Sequence, residues 1–240
     1  ERTDRVASVM IEDNRASATS DGLRPERYPW RATTRAGVLV DGGFTDTDDP
    51  DGALRANGAA PMAGRHRVLA VGSNASPEVM HRKMARAGLN RPLAMTITRT
   101  EGIGVGHSAH VSLPGYIAAA PYRCSQCIRR LVQLHLDDEQ LDALDATEPN
   151  YVRTEHHGAW IYASIWQVIA VHGLPVTLRT QQDLHATLSD ADPVWHQRFG
   201  GMPPEEVAAE LARDGSIGEW RRRWPAVGLT RNAGFDSVRS

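Results

Sequence analysis

The sequence predicts an α+β fold. Strand-like apolar and β-branched runs cluster between about residues 64 and 172. Helix signals dominate from about 173 onward, and the two do not alternate as regular βαβ units. Three regions follow: an N-terminal extension over 1–63, partly ordered and packed on the core; a β-rich core over 64–172; and a C-terminal helical extension over 173–240. A chain of 240 residues can bury a core of this kind without disulfide or metal staples.

Residues 1–63 are dominated by Asp, Gly, Ala, Thr and Arg, and Thr45 to Pro50 is almost wholly polar or acidic. Within them, Gly37-Val38-Leu39-Val40 reads as a strand. Tyr28-Pro29-Trp30 reads as an anchor that lays the arm on the core.

In the core, Val68-Leu69-Ala70-Val71 is a short apolar run closed by Gly72, the pattern of a buried strand entering a turn. A helix follows from Ser76 to Ala87, with Ser76 as N-cap and Pro77 at the first helical position. Val79, Met80 and Met84 share its inner face. Thr96-Ile97-Thr98 reads as a strand. Gly102, Gly104 and Gly106 place His107 to His110 in a loop. Gly115 to Ala120 reads as a strand stopped by Pro121, and Ile128 to Leu136 as another, with Cys124 in a hairpin turn between them. Asp137-Asp138-Glu139 opens a helix, its acids placed where the dipole favours them. Leu141 and Leu144 anchor that helix before Pro149 ends it. Trp160 to Val171 reads as a further strand.

The C-terminal region turns helical. Thr180 caps a helix through Leu188. Pro203-Pro204-Glu205-Glu206 opens a second, with Val207, Ala208 and Leu211 inward and Gly215 as its stop. Glu219 to Trp224 forms a short third. Arg221-Arg222-Arg223 reads as a solvated helix face, flanked by inward-packed Trp220 and Trp224.

Charge and composition exclude several classes. A net charge of −2 gives no general attraction to nucleic acid or to an acidic membrane. No apolar run approaches the length needed to span a bilayer. Glu1 to Asp13 is charged and mixed rather than apolar, and two cysteines do not make a secreted disulfide framework, so the expected location is the cytoplasm. Cys124-x-x-Cys127 is half of a zinc or redox motif, with His107, His110, His156 and His157 as the other available ligands. These residues are expected to bind no metal. Gly102 to Gly106 lacks the spacing of a nucleotide fingerprint.

Two short segments carry chemistry. At Val71-Gly72-Ser73-Asn74 a strand ends, a glycine turns the chain and a helix begins, so backbone N–H groups point outward toward an anion or a developing oxyanion. Glu148 sits where a helix stops, a position at which a half-buried carboxylate can shuttle a proton. Alone, each also reads as ordinary turn chemistry and a surface acid.

Together and in order, the segments resemble the γ-glutamyl cyclotransferase-like family, which includes butirosin-deprotecting enzymes. Val68 to Asn74 is similar to that family's first core strand ending in Tyr-Gly-Ser-Asn. Gly115-Tyr116-Ile117-Ala118 resembles the following strand, and Leu134 to Arg153 its strand–helix–Glu–Tyr-x-Arg block. The resemblance spans about residues 67–155. It implies a mixed β-barrel with flanking helices and an enzyme that closes a γ-glutamyl amide into 5-oxoproline with release of an amine. Glu148 would be the acid/base, and Val71, Gly72, Ser73, Asn74, Tyr116, Tyr151 and Arg153 would bind substrate. No cofactor or metal is implied. The expected partner is a small γ-glutamyl or related amide, with no nucleic acid and no membrane, and a homodimer is left open. One departure stands out: Val71 occupies the position of the family's tyrosine, so the usual phenol would have to come from Tyr116, Tyr122 or Tyr151. That leaves two alternatives, an acyl transferase or amide hydrolase on the same fold and a non-catalytic binding module. Arg153 has a second reading, an ion pair with Asp145 or Glu155.

Overall fold

The computed structural model describes residues 22–213 and 215–235. The expectation for Glu1 to Asp13 lies outside the described residues. The structure is mixed α+β, with a ten-stranded sheet and, among the described residues, seven α-helices. None of those helices is long and apolar enough to cross a membrane. The residues group into two compact units.

The first, here the site unit, comprises Trp30–Gly106, Ala119–Val168 and the described residues from Asn232 onward. It holds β1 (Gly37–Val40), β2 (Gly43–Asp46), α1 (Pro50–Ala56), β3 (His66–Ala70) and α2 (Pro77–Arg86). Most of β4 (Leu93–Val111) and β5 (Ile117–Leu136) follows, then α3 (Asp138–Ala146), β6 (Tyr151–His156) and β7 (Ala159–Ser164). The strand order is β2-β1-β4-β5-β3-β7-β6. β3 lies antiparallel to β5, with Val68 opposite Leu134, and parallel to β7, with Leu69 opposite Ile161.

Both faces of β3 are covered. Val68 and Ala70 pack with Met80, Met84, Leu134, Leu141, Leu144 and Tyr162, while Leu69 packs with Ile103, Leu131 and Ile161. A strand buried on two faces needs an unbroken apolar run, which is what residues 68–71 supply. Complete burial of Leu134 and Leu144 contributes about 2 kcal/mol each by transfer from water. At the start of α3, Asp137 Oδ1 accepts from the Gln140 N–H (2.9 Å), while Gln140 Oε1 accepts from the Asp137 N–H (3.1 Å). This reciprocal cap fixes where the helix begins.

The second, here the tryptophan unit, comprises the described residues up to Pro29, His107–Ala118 and Ile169–Arg231. It contains the end of β4, the start of β5, β8 (Val168–Val171) from Ile169, β9 (Leu174–Pro175), α4 (Gln181–Ala191), α5 (Pro193–Phe199), α6 (Pro204–Leu211), α7 (Ser216–Ala226) and β10 (Thr230–Arg231). Trp195, Trp220 and Trp224 are fully buried around Phe199, with the Trp195 and Trp220 ring centroids 4.7 Å apart. Asp192 caps α5 and forms two bonds with Arg223 of α7. These bonds hold its carboxyl below the usual range. Tyr28 is buried and stacks on Tyr116, centroids 4.5 Å apart.

Several expectations are corrected. Gly102 to His110 is not a loop but part of β4. The glycines make room rather than break the strand: a Cβ on Gly104 would lie 2.2 Å from the Tyr122 ring. Pro121 does not stop β5, and Cys124 and Cys127 sit within that strand as a disulfide rather than in a hairpin turn. The run from Trp160 to Val171 is two strands, parted near Gln167, whose φ is 70°. Gly215 starts α7 instead of stopping α6, with φ 85°. The short helix α5 was not expected, although Asp192-Pro193 is an N-cap followed by a first-turn proline.

Candidate functional site

The site lies in the site unit, where the turn after β3 meets the chain leaving α3. Val71 packs among Leu69, Ile103 and Ile161 and so contributes shape, not polarity. Gly72 precedes a single 3₁₀ turn over Ser73–Ala75. That turn is closed by Ala75 N–H to Gly72 O and Ser76 N–H to Ser73 O, both 3.0 Å. Among the described residues, the N–H groups of Ser73 and Asn74 have no acceptor. The turn runs into α2, with Pro77 at its first position and Ser76 at the cap, although the Ser76 hydroxyl makes no capping bond.

Glu148 follows α3. Its N–H bonds Asp145 O at 3.0 Å, and its own carbonyl accepts from the Tyr151 N–H at 3.0 Å, so the backbone is held on both sides. The side chain is only 10% exposed. Glu148 Oε1 accepts from Asn74 Nδ2 at 2.9 Å and from Lys83 Nζ at 2.6 Å. Lys83 Nζ also donates to Asn74 Oδ1 at 2.7 Å. The three side chains form a closed triangle, and Oε2 of Glu148 takes no hydrogen bond among the described residues. Two candidates, Asn74 and Glu148, are thus brought into direct contact, while Gly72 and Ser73 adjoin them through the turn.

Other candidates stand apart from the triangle. Tyr151 donates its hydroxyl to Ala119 O at 2.8 Å. Arg153 lies 2.9 Å from Asp145 and 5.0 Å from the Trp160 ring centroid. Its Nη1 makes no well-directed hydrogen bond despite that short distance, so the contact is a charge pair. Tyr116 belongs to the tryptophan unit, stacked on Tyr28.

Two residues absent from the expected site belong to it or border it. Lys83 completes the triangle. Tyr162, on β7, donates to Asp145 Oδ1 at 2.5 Å. Burial first, and then this bond, push its hydroxyl well above its ordinary range, so it remains a donor; the Glu148 charge acts in the same direction. The sequence held a signal for Lys83: it stands four residues from Val79 and three from Met80, on the buried face of α2.

The histidine pair does not form a ligand set. Residues three apart on a strand face opposite sides. His107 Nε2 accepts from the Arg179 N–H at 3.1 Å, and His110 Nδ1 contacts the Ser108 hydroxyl at 2.6 Å. Burial drives both pKa values down to about 3. Cys124 and Cys127 are committed to their disulfide. Among the described residues no group of three or more His, Cys, Asp or Glu side chains converges on a point that could hold a metal ion. Compared with known proteins, the chain matches no family profile, no characterised protein and no solved structure.

Proposed function

We infer that the chain is a γ-glutamyl cyclotransferase-like enzyme that releases 5-oxoproline and a free amine from a γ-glutamyl amide. The observation that carries this reading is Glu148: a largely buried carboxylate with one oxygen fixed by Asn74 and Lys83 and the other without a donor among the described residues, beside a turn with two unengaged N–H groups.

The substrate's α-amine attacks its own γ-carbonyl carbon. A new C–N bond closes the five-membered lactam, and the original amide C–N bond breaks. Glu148 Oε2 takes the proton lost by the attacking nitrogen and gives it to the departing amine, so atoms and protons balance without water or cofactor. Attack is unimolecular, which removes much of the entropic barrier once the substrate is held folded. In this reading the Ser73 and Asn74 N–H groups stabilise the oxyanion or grip the α-carboxylate.

The test is a screen of γ-glutamyl compounds for 5-oxoproline, with Glu148→Gln as the blank. Release by the wild type and at least a hundredfold less by the variant is the expected result; equal rates would remove Glu148 from the mechanism. A second reading, a non-catalytic binding module, draws on the apolar packing of Val71 and the ion pair on Glu148. It predicts ligand binding without turnover.

A further inference from the structure

We propose that Lys83 is a positioning residue of this site, one that fixes which oxygen of Glu148 reacts. The inference rests on the acid/base reading of Glu148 and extends it to a residue outside the turn and the α3 end.

The geometry is specific. Lys83 is only 14% exposed, on the face of α2 that also buries Val79, Met80 and Met84. A lysine there removes costly charge from water unless it meets a counter-ion and acceptors. It finds both: Glu148 Oε1 at 2.6 Å and Asn74 Oδ1 at 2.7 Å. Asn74 returns its own N–H to the same Glu148 oxygen at 2.9 Å. Both donors converge on Oε1, so the carboxylate cannot rotate without losing two bonds, and Oε2 is the oxygen left to move a proton.

The surroundings supply no substitute for it. The Lys83 ammonium from α2 and the Asn74 amide from the turn are bonded to Glu148. Arg153 of β6 is paired with Asp145 of α3 instead. Among the described residues, the Lys83 ammonium is therefore the cation in direct contact with the carboxylate.

The experiment compares kcat and KM for the wild type, Lys83→Met and Lys83→Arg on whichever γ-glutamyl amide the wild type turns over. Lys83→Met is expected to lose at least about tenfold in kcat with KM little changed. Lys83→Arg should restore most of the rate. Melting temperatures are recorded in parallel. A purely structural clamp would lower the melting temperature and leave kcat of the folded enzyme unchanged, and that outcome overturns the proposal. A second measurement is independent of turnover: crystal structures of the wild type and Lys83→Met compare the Glu148 side chain. A carboxylate that turns away from Asn74 in the variant supports Lys83 even if no γ-glutamyl compound is cleaved, in which case the cyclotransferase reading alone fails. An unmoved carboxylate removes Lys83 from its role.

Discussion

Lys83 Nζ stands 2.6 Å from Glu148 Oε1, across 65 residues of sequence, with Asn74 bonded to both. The contact joins a helix that follows β3 to a chain end that follows α3. It makes the candidate site a tertiary object, one that neither segment forms alone.

Asn74 is the neutral member of the triangle, and its amide serves two charges. Asn74→Ala leaves both with one partner fewer in a largely buried place. A stability loss of about 1–3 kcal/mol is expected from the lost bonds, read from urea midpoints. Asn74→Asp should be worse, because it sets a second carboxylate beside Glu148. A neutral result for Asn74→Asp would mean that the triangle is not formed in solution.

Acid should loosen the fold through its histidines. Burial holds His107 and His110 down to about 3, and His135 and His185 to about 4. Unfolded, each titrates near 6.5. Between those values the unfolded chain binds more protons than the folded one. The stability they contribute is therefore fully present above about pH 6.5 and is lost as pH falls toward 3 to 4. The slope approaches about 1.4 kcal/mol per pH unit for each such histidine. Denaturant midpoints measured from pH 8 to pH 4.5 should fall steadily below pH 6.5, and His110→Phe should flatten the slope.

Gly115 admits no side chain. Its φ is 91°, and a Cβ would lie 1.9 Å from the Ala208 carbonyl oxygen of α6. Gly115→Ala should cost more than about 2 kcal/mol through strain and displacement of that helix. Gly58→Ala is the control: φ there is also positive, at 70°, but nothing stands within 4 Å. The excess destabilisation of Gly115→Ala over this control, in thermal melts, measures the close approach.

The disulfide should matter little to equilibrium stability. Cys124 and Cys127 are three positions apart, and closing so short a loop gains about 2 kcal/mol at most. Two thiols per chain should appear on reduction in denaturant, and the doubly substituted Cys124→Ser/Cys127→Ser chain should melt within a few degrees of wild type. A collapse of the fold would show that the bridge constrains more than its own loop.

Much of this was legible locally. An apolar run ended by Gly72, a proline at the start of α2 and the acids Asp137 to Glu139 at the start of α3 are signals carried by neighbouring residues, so β3, α2 and α3 could be placed and Glu148 put at a helix end. The long strands could not. Gly102, Gly104 and Pro121 are breakers by local propensity, but Gly104 is there to admit Tyr122, a residue of the next strand. Lys83 was missed for a related reason. Its position on a buried face was visible, yet its partner Glu148 could be known only once the strands that separate them had been folded.

The placement of β3 between β5 and β7 carries one more consequence. The arc bearing Glu148 leaves from the end of β5 and returns through β6 to β7, so it is fastened at both ends to strands flanking the one that carries the Gly72–Asn74 turn. Such an arc cannot swing out as a lid does. Amide hydrogens at Glu148 and Tyr151 should exchange only when the sheet itself opens, and any ligand must enter a site that is already built, by its own motion rather than by that of the arc.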